Sequence, residues 1–241
     1  MRDYTTHYRA DADLIVDPAR LPPVRFASES RRLTAIVRHL GLQPGERLLD
    51  LGCGSGWLSD LCAKSGAQVV ACDVATTGVA AARARYPESG SFVVGDVYAV
   101  GLKSNVADVI VLSEVLEHLQ DIPAAVRELK RLLRPGGRLM VTVPNRETIV
   151  KHLCIHCNSL TPANAHLHSF DAASLGAALQ EHGLAVRKTV LLSNKLLELI
   201  GFPHKSRWLP HLGWRGIDWL CNRIIGRAGF LLILAVNEEA A

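Results

Sequence analysis

Three alternating glycines follow directly on an apolar, strand-like run. Residues 48–57 read Leu-Leu-Asp-Leu-Gly-Cys-Gly-Ser-Gly-Trp, which places Gly52, Gly54 and Gly56 between that strand and a following helical pattern. Glycine allows sharp backbone turns and leaves room for a ligand close to the backbone. Asp73 follows at about the spacing at which an acidic side chain takes the ribose hydroxyls of a bound nucleoside. The pattern therefore predicts a site for an adenosine-bearing cofactor.

The spacing of these glycines distinguishes the loop from a dinucleotide site. A dinucleotide fingerprint reads G-x-G-x-x-G, and its third glycine packs the helix against the strand. Here the pattern is G-x-G-x-G, and Asp50 stands at the end of the strand before it. A carboxylate at that point repels a pyrophosphate, whereas it suits a cofactor that carries an ammonium and a sulfonium group.

Further polar residues follow the later strands at their carboxyl ends, where open α/β sheets bind ligands. Asp73 can accept hydrogen bonds from both ribose hydroxyls, and Asp96 can accept one from an adenine amine. Each has a structural alternative, since Asp73 could cap the following helix and Asp96 could be a turn residue. The predicted cofactor site consists of Asp50, Gly52, Cys53, Gly54, Gly56, Asp73, Val74, Asp96, Val97, Ser113 and Glu114.

Strand-like and helix-like patterns alternate from about residue 46 to residue 144. Such alternation predicts a parallel sheet with helices on both faces. The helix before the fifth strand ends at Arg134-Pro135-Gly136-Gly137, which is typical of a helix stop and turn. The predicted strands are Arg47–Leu51, Gln68–Cys72, Ser91–Val94, Asp108–Leu112, Arg138–Val143, Ala185–Leu192 and Phe230–Val236, and the predicted helices are Ser28–Leu40, Trp57–Lys64, Thr77–Tyr86, Ala124–Leu133 and Ala172–His182.

The ordered motifs across residues 46–145, and more loosely to about residue 190, resemble the class I S-adenosylmethionine (SAM)-dependent methyltransferases. The stretch around Asp50 and Gly52 resembles motif I of that family, and the chain is similar to the type 11 methyltransferase domain. The resemblance implies a Rossmann-like α/β fold with a seven-stranded, mostly parallel sheet in the order 3-2-1-4-5-7-6, the last strand antiparallel, and a small helical cap. It also implies methyl transfer from SAM, a reaction whose chemistry the cofactor largely carries itself.

The segment Ser113-Glu114-Val115-Leu116-Glu117-His118 comes close to where the donor methyl group should lie. On a helix that starts at Glu114, residues three and four apart share a face, so Glu114, Glu117 and His118 project together. Two carboxylates and an imidazole are good ligands for a divalent cation. With a distant histidine, His168, the pattern resembles the ubiquinone-pathway O-methyltransferases and the small-RNA 3′-terminal 2′-O-methyltransferases. In both groups a metal holds and activates the accepting hydroxyl.

This resemblance implies a divalent metal, Mg²⁺ or Zn²⁺, held by Glu114, Glu117, His118 and His168. It also implies that His118 and Glu117 are the catalytic residues. The alternative is that no metal is used, because many family members that need none carry a similar Glu-His pair after the fourth strand. In those proteins the histidine packs on the cofactor or acts as a general base.

A second metal hypothesis competes for one of these histidines. Cys154 and Cys157 form a C-x-x-C pair before His166 and His168, and cysteine with histidine is a common ligand set for structural zinc. The usual paired spacing of zinc sites is absent, however, and residues 151–158 fit one helix with buried cysteines equally well. His168 cannot serve both sites.

The composition favours one α/β domain with a small addition. The chain has 241 residues, of which 49% are hydrophobic, and its net charge of +4 is by itself no sign of nucleic-acid binding. We expect a cytoplasmic protein, because no apolar signal segment and no run of roughly 20 apolar residues occurs. The six cysteines are scattered and read as reduced thiols, and Cys53, Cys62 and Cys72 are expected to pack in the core.

The basicity is concentrated in one segment near the carboxyl end. Residues 194–229 contain three of the four tryptophans, with six cations against two acids, a local charge of +4 that equals the net charge of the chain. This composition is typical of an interfacial membrane helix, and it also suits a lid over an apolar substrate, a dimer interface or a helical cap that completes the core. A basic, aromatic face could bind single-stranded RNA as well, although no RNA-binding motif is present.

The sequence therefore predicts four parts. These are an amino-terminal helical or lid segment (1–41), a SAM-binding core (42–193), the basic insert (194–229) and the last strand with the tail (230–241). In the family, the region before and including the first helix often closes over the site and excludes water. Tyr4, His7 and Tyr8 stand in that region.

We predict methyl transfer to a small, fairly apolar molecule, at a hydroxyl oxygen, by a protein that is cytoplasmic or peripheral at the membrane. The basic insert is the candidate contact with lipid or with a lipid-like substrate. Alternative acceptors are an RNA 3′ end, an amine or a carbon. A different class stays open, that of a SAM-binding protein without transfer activity that acts on a partner through its insert.

Overall fold

The computed structural model describes residues 6–7, 10, 17–155 and 158–238. Its main element is a seven-stranded sheet, and a separate two-stranded hairpin follows the fifth strand along the chain. The strands, in chain order, are β1 (Arg47–Leu51), β2 (Gln68–Asp73), β3 (Ser91–Val94), β4 (Ala107–Ser113), β5 (Leu133–Pro144), β6 (Lys151–Leu153), β7 (Leu160–Pro162), β8 (Leu184–Asn194) and β9 (Ala228–Asn237).

The order across the large sheet is β3-β2-β1-β4-β5-β9-β8. Strands β1 to β5 pair in parallel, and β9 runs antiparallel between β5 and β8. Since β6 and β7 form the separate hairpin, β8 and β9 are the sixth and seventh strands of the sheet. The predicted fold class and the order 3-2-1-4-5-7-6 are therefore confirmed. The order reverses between β1 and β4, which is where open α/β sheets form a ligand crevice.

Eight helices accompany the strands within the described residues. Three short 3₁₀ turns, at Pro18–Arg20, Leu116–His118 and Ala163–Ala165, occur in the connections. The helices are α1 (Pro23–Leu40), α2 (Trp57–Lys64), α3 (Thr76–Arg85), α4 (Ile122–Leu132), α5 (Ala172–Gln180), α6 (Lys195–Leu199), α7 (Phe202–Lys205) and α8 (His211–Ile225).

Both faces of the sheet are covered by helices. Alternate residues along a strand point to opposite faces, so Leu48 and Val109 pack with α1, α2 and α3 on one side. Leu49 and Ile110 pack with α4 and α5 on the other side. The thiols expected in the core are buried there, Cys53 and Cys62 in the first cluster and Cys72 in the second. This arrangement explains why the central strands read as almost continuous apolar runs.

Most element bounds differ from the sequence prediction by one or two residues, and three segments differ more. Helix α1 begins at Pro23 rather than Ser28, because proline is compatible with the first turn of a helix. Strand β5 begins at Leu133, which already pairs with Ala107 before residues 134–137 turn out of the ladder. The helix considered for residues 151–158 is wrong, since β6 and β7 pair as antiparallel strands there.

A buried polar network fastens α8 to the end of β8. The Asp218 carboxylate accepts hydrogen bonds from the backbone N–H groups of Ser193, at 3.2 Å, and Asn194, at 2.7 Å. The Asn194 side chain donates to Asn222 at 2.8 Å, and Trp214 is buried beside these groups on the same face of α8. The inward side of the insert is thus a helical cap on the sheet. Within the described residues, no helix is both long enough and apolar enough to cross a membrane.

Candidate active site

The glycine loop makes a tight connection between β1 and α2. The backbone N–H groups of Gly52 and Cys53 both donate to the Cys72 carbonyl, at 2.8 and 3.0 Å, which ties the loop to the end of β2. Gly52, Gly54 and Gly56 all have positive φ, between 48° and 79°, a region that side chains rarely adopt. The backbone of the loop therefore favours glycine at all three positions.

A steric contact also favours glycine at position 52. A Cβ atom on Gly52 would lie 2.3 Å from Cγ2 of Val115, a residue of the segment that follows β4. The loop after β1 and the segment after β4 thus pass within contact distance of each other. This close approach forms one wall of the crevice where the strand order reverses.

Asp73 connects the glycine loop to the second strand. Its Oδ2 atom accepts a hydrogen bond from Gly54 N–H at 2.9 Å, and its Oδ1 atom accepts one from Ala75 N–H at 3.0 Å. The helix-cap alternative is not what is found, because α3 begins after Ala75 with no side-chain cap. Asp96 does make a turn, since its Oδ1 atom accepts a hydrogen bond from Tyr98 N–H at 3.0 Å.

The three strand-end carboxylates lie around one thiol. Burial raises the pKa of Cys72 to about 12, and the negative charges of Asp73, Asp96 and Asp50 add to the effect. The strand register places the three carboxylates at one edge of the sheet, because Asp50 pairs with Ala71, next to Cys72, and Asp73 pairs with Val94, two residues before Asp96. The same region is negatively charged, which favours a cationic ligand.

A cavity of about 350 Å³ opens between the glycine loop, α1 and the end of β4. This volume lies within the range of roughly 300–1,000 Å³ that is typical of small-molecule sites. Gly56, Asp73, Val74, Asp96 and Val97 are not among its described lining residues. The predicted cofactor residues that do line it are Asp50, Gly52, Cys53, Gly54, Ser113 and Glu114.

Asp50 is the buried carboxylate of this cavity. The Ser59 hydroxyl donates to its Oδ2 atom at 2.5 Å. Burial raises the pKa of Asp50 to about 6, and the charge of Asp73 adds to that shift while the Ser59 hydrogen bond opposes it. An ionised carboxylate in this position is costly unless a positive group lies against it.

Glu114 is held by contacts that a helix would not make. Its backbone φ is 56°, its N–H donates to the Thr142 carbonyl at 2.9 Å, and its Oε1 atom accepts from the Thr142 hydroxyl at 2.8 Å. The predicted helix starting at Glu114 is therefore wrong, and one 3₁₀ turn at Leu116–His118 stands in its place. Burial raises the pKa of Glu114, although Arg32 and Thr142 oppose the shift.

Arg32 is a lining residue that sequence reasoning missed. It is buried in α1, its Nη2 atom donates to Glu29 at 2.7 Å, and its Nη1 atom lies 3.6 Å from Glu114 Oε1. Burial lowers the pKa of its guanidinium, but Glu114 and Glu29 more than offset this, so that the pKa is raised. A signal was present in the sequence, since Arg32 shares one helix face with Ile36 and Leu40, where an ordinary surface cation does not belong.

A second group of side chains follows β4. Glu117 is 1% exposed, and neither of its carboxylate oxygens has a hydrogen-bond partner among the described residues. Candidate ligand atoms of Glu117, His118 and His166 all lie within 4.8 Å of one another, and the two imidazole rings meet edge to face at 4.7 Å. Glu147 is hydrogen-bonded to Nδ1 of His166. Burial, together with the nearby charge of Glu114, raises the pKa of Glu117 to about 9.

This group differs from the predicted ligand set at two positions. His168 is turned away, because its Nε2 atom donates to the Leu119 carbonyl at 2.8 Å, and His166 stands in the group instead. Glu114 is held by Arg32 and is not a member either. The shift by two residues follows from the backbone, since the N–H group of His168 donates to the Glu117 carbonyl and fixes that segment beside the 3₁₀ turn.

Two other predictions fall partly outside the described residues. Cys157, half of the C-x-x-C pair, lies outside them, and Cys154 is a half-buried free thiol at the end of β6. In the amino-terminal segment, Tyr4 and Tyr8 lie outside the described residues, while His7 is exposed. Helix α1, in contrast, both packs in the core and lines the cavity.

The comparison with known proteins decides the family. A family model described as a methyltransferase domain matches residues 25–189, more than half of the chain. The chain belongs to the SAM-dependent methyltransferases. One curated relative, the ubiquinone biosynthesis O-methyltransferase of Xanthomonas axonopodis pv. citri (strain 306), is 34% identical over 174 residues, which cover 68% of this chain and 70% of the relative. The chain spans about half the length of some other curated relatives that it matches.

Solved structures share the fold of this methyltransferase. The [4+2]-cyclase SpnF has a TM-score of 0.64 at 21% identity, and the match covers 87% of this chain and 81% of that one. Phosphoethanolamine N-methyltransferase 2 of Haemonchus contortus, in complex with SAM, has a TM-score of 0.62 at 18% identity. The match covers 89% of this chain and 56% of that one. Because one of these proteins is named as a cyclase, the reaction of any one chain has to be argued from its own site.

Proposed function

We propose that this methyltransferase transfers the SAM methyl group to a hydroxyl oxygen of a small, fairly apolar molecule, with a divalent metal ion beside the acceptor. The observation that carries the proposal is the buried carboxylate of Glu117, which lies beside two imidazoles and has no hydrogen-bond partner among the described residues. Relatives named ubiquinone biosynthesis O-methyltransferase support a hydroxyl group on a small molecule as the acceptor.

The cavity residues fit SAM in charge. SAM supplies an electrophilic methyl group on a positively charged sulfonium. Asp50, which is buried, and Glu114, which is partly buried, would face the ammonium and sulfonium groups, because a positive ligand stabilises both carboxylates. Asp73 would accept the ribose hydroxyls and Asp96 the adenine amine. The remaining proposed contacts are Gly52, Cys53, Gly54, Gly56, Val74, Val97 and Ser113.

Arg32 has a role in the same proposal. SAM carries one carboxylate, and Arg32 is a buried cation in the lining of the cavity. Its guanidinium has five N–H donors in a planar fork, enough to hold Glu29 and still reach a ligand carboxylate. Arg32 would thus bind the cofactor from α1 while it stays paired with Glu29.

The acceptor side is assigned to the second group. Glu117, His118 and His166 would hold a divalent cation, and carboxylate with imidazole suits Mg²⁺ or Zn²⁺. Such an ion lowers the pKa of a hydroxyl group and orients it. The hydrogen bond that His166 Nδ1 donates to the Glu147 carboxylate would fix which nitrogen of His166 faces the group.

Proton removal has a second route that needs no metal. With its pKa near 9, Glu117 keeps its proton at neutral pH, so His118 is then the side chain left to accept the hydroxyl proton. In both routes the acceptor oxygen attacks the methyl carbon from the side opposite the sulfur. Catalysis would come chiefly from positioning the two reactants in that line.

The basic insert supports a contact with lipid or with a lipid-like acceptor, and hence a position peripheral at a membrane. A cytoplasmic location stays a prediction from the sequence. Nucleic acid is not the proposed acceptor, because the net charge is small and no RNA-binding motif occurs.

The test is a turnover assay with methyl-labelled SAM on a panel of phenols, vicinal diphenols, amines and short RNAs. We expect label in the diphenols and loss of turnover on chelation, with SAM affinity unchanged. Transfer to diphenols that is insensitive to chelators would retain the hydroxyl acceptor and remove the metal. Label only in RNA or in amines would overturn the proposed acceptor, and SAM binding without any transfer would favour a non-catalytic protein.

A further inference from the structure

The outward side of α8 is apolar although it faces solvent. Leu212, Trp219, Leu220 and Ile224 recur at spacings that place them on one side of the helix. Their side chains are 75%, 57%, 49% and 74% exposed, respectively. Arg223, also exposed, lies among them. We call these four apolar residues the outward face of α8.

The inward side of the same helix is unusually polar. Asp218 and Asn222 are buried there, and Arg215 donates to the Asp218 carboxylate at 2.9 Å. Apart from Trp214, the buried residues of the helix are therefore polar, while most of its large apolar side chains face solvent, unlike those of an ordinary surface helix. A rotation of α8 that buried the outward face would move Asp218 away from Ser193 and Asn194. The buried N–H groups of those two residues would then have lost their acceptor, which is unfavourable.

The exposed charges of the insert all have one sign. Of its two acids, Asp218 is buried and Glu198 is half-buried, so neither offsets the cations at the surface. The Lys195 N–H donates to the Arg227 carbonyl at 2.8 Å, which brings two basic residues together at the end of α8. The exposed cations are Lys195, Lys205, Arg207, Arg223 and Arg227.

We propose that the outward face of α8 docks on an anionic lipid bilayer. Its apolar side chains enter the headgroup region, Trp219 lies at the interface, and the neighbouring cations lie against anionic lipids. A second copy of this chain is a poorer occupant, because a symmetric contact would bring the same cations face to face. The docking surface is separate from the methyl-transfer site, so this inference holds whichever acceptor is methylated.

The experiment is flotation of the full chain with vesicles of phosphatidylcholine alone or with about one third phosphatidylglycerol. We expect binding to the anionic vesicles only, weakening as salt rises, with a blue shift of tryptophan fluorescence. Ile224→Ser should weaken binding at least tenfold, because a butyl-sized apolar group no longer enters the bilayer. Arg223→Gln should weaken it about fivefold, the effect of one cation near the surface.

Matched controls lie at the opposite edge of the sheet and in a distant loop. Val94→Ser removes an exposed apolar side chain from β3, and Lys103→Gln removes an exposed cation before β4. Both should leave vesicle binding within about twofold of wild type, and circular dichroism verifies that every variant is folded. Equal binding to neutral vesicles, equal losses in controls and test variants, or a dimer in sedimentation that Ile224→Ser dissociates would each overturn the proposal. SAM affinity, measured on the same samples, reports separately on the methyl-transfer site.

Discussion

The backbone N–H of Gly54 donates a hydrogen bond to the Asp73 carboxylate at 2.9 Å, which joins the loop after β1 to the end of β2. The second oxygen of the carboxylate accepts from Ala75 N–H at 3.0 Å. A carboxylate oxygen has two lone-pair sites, so each oxygen keeps one for a ribose hydroxyl. One side chain can thus fix the loop and take part in the proposed cofactor contact.

Asp73→Ala should lower the affinity for SAM at least 100-fold, measured by calorimetry. The variant loses the loop contact and both proposed ribose contacts, and hydrogen bonds to a charged group contribute about 1.5–3 kcal/mol each. Asp171→Ala is the control, since Asp171 also accepts backbone N–H bonds but caps α5. It should cost about 1 kcal/mol of stability and leave SAM affinity unchanged. Similar affinity losses in both variants would contradict the account.

Gly52→Ala and Gly136→Ala separate steric contact from backbone strain. Both glycines have positive φ, but only at Gly52 would the new Cβ meet another atom, Cγ2 of Val115 at 2.3 Å. We expect the free energy of unfolding to fall by about 1 kcal/mol for Gly136→Ala and by about 2–4 kcal/mol for Gly52→Ala. Adding Val115→Ala should restore part of the second loss. No rescue by that double substitution would show that the contact is not the cause.

Asp50→Asn should raise stability and weaken cofactor binding. Because the pKa of Asp50 is raised to about 6, the folded protein binds its proton more tightly than the unfolded chain does. This stabilisation is complete below pH 4 and is lost as the pH rises to about 6. Above about pH 6 the ionised carboxylate therefore lowers the free energy of unfolding by about 1–3 kcal/mol. In thermal unfolding, Asp50→Asn should therefore gain stability at pH 8 and little at pH 4.

The SAM affinity of wild type should fall below about pH 6, where Asp50 takes up its proton and no longer attracts the ammonium group. Asp50→Asn should bind SAM weakly at every pH. A variant that is less stable than wild type at pH 8, or one that keeps full SAM affinity, would contradict the assignment of Asp50.

Substitution of the two neighbouring histidines distinguishes the metal group found in the fold from the group predicted by sequence. His166→Gln should lower the affinity for Zn²⁺ or Mg²⁺ at least tenfold in titration calorimetry, because a proposed ligand is lost. His168→Gln is the matched control, since the His168 ring is bonded to the Leu119 carbonyl. Its metal affinity should stay within about threefold. The opposite ranking would restore His168 as the ligand.

The sequence predicted the elements around the glycine loop well because their signals are local. The bounds of β1, β3 and α2 were predicted without error, since a short apolar run followed by glycine and a helix start constrains only neighbouring residues. The order of the sheet came from the family resemblance and is confirmed.

The acceptor side depended on contacts between distant segments, which spacing does not encode. His166 rather than His168 meets Glu117 because backbone hydrogen bonds fix an irregular segment. An irregular segment has no periodic pattern in the sequence that would indicate which of the two histidines faces Glu117. The hairpin of β6 and β7 was missed because each strand has three residues, too few for an alternation. In α8, the polar and apolar residues were recognised, but only the contacts of Asp218 show which side faces inward.

The central claim is tested most directly by the electron density of crystals soaked with S-adenosylhomocysteine and a vicinal diphenol. We expect the ribose on Asp73, the sulfur beside Glu114, and a diphenol oxygen next to the group formed by Glu117, His118 and His166. A cofactor bound elsewhere, or a diphenol that lies far from Glu117 while the cofactor is in place, would contradict the account.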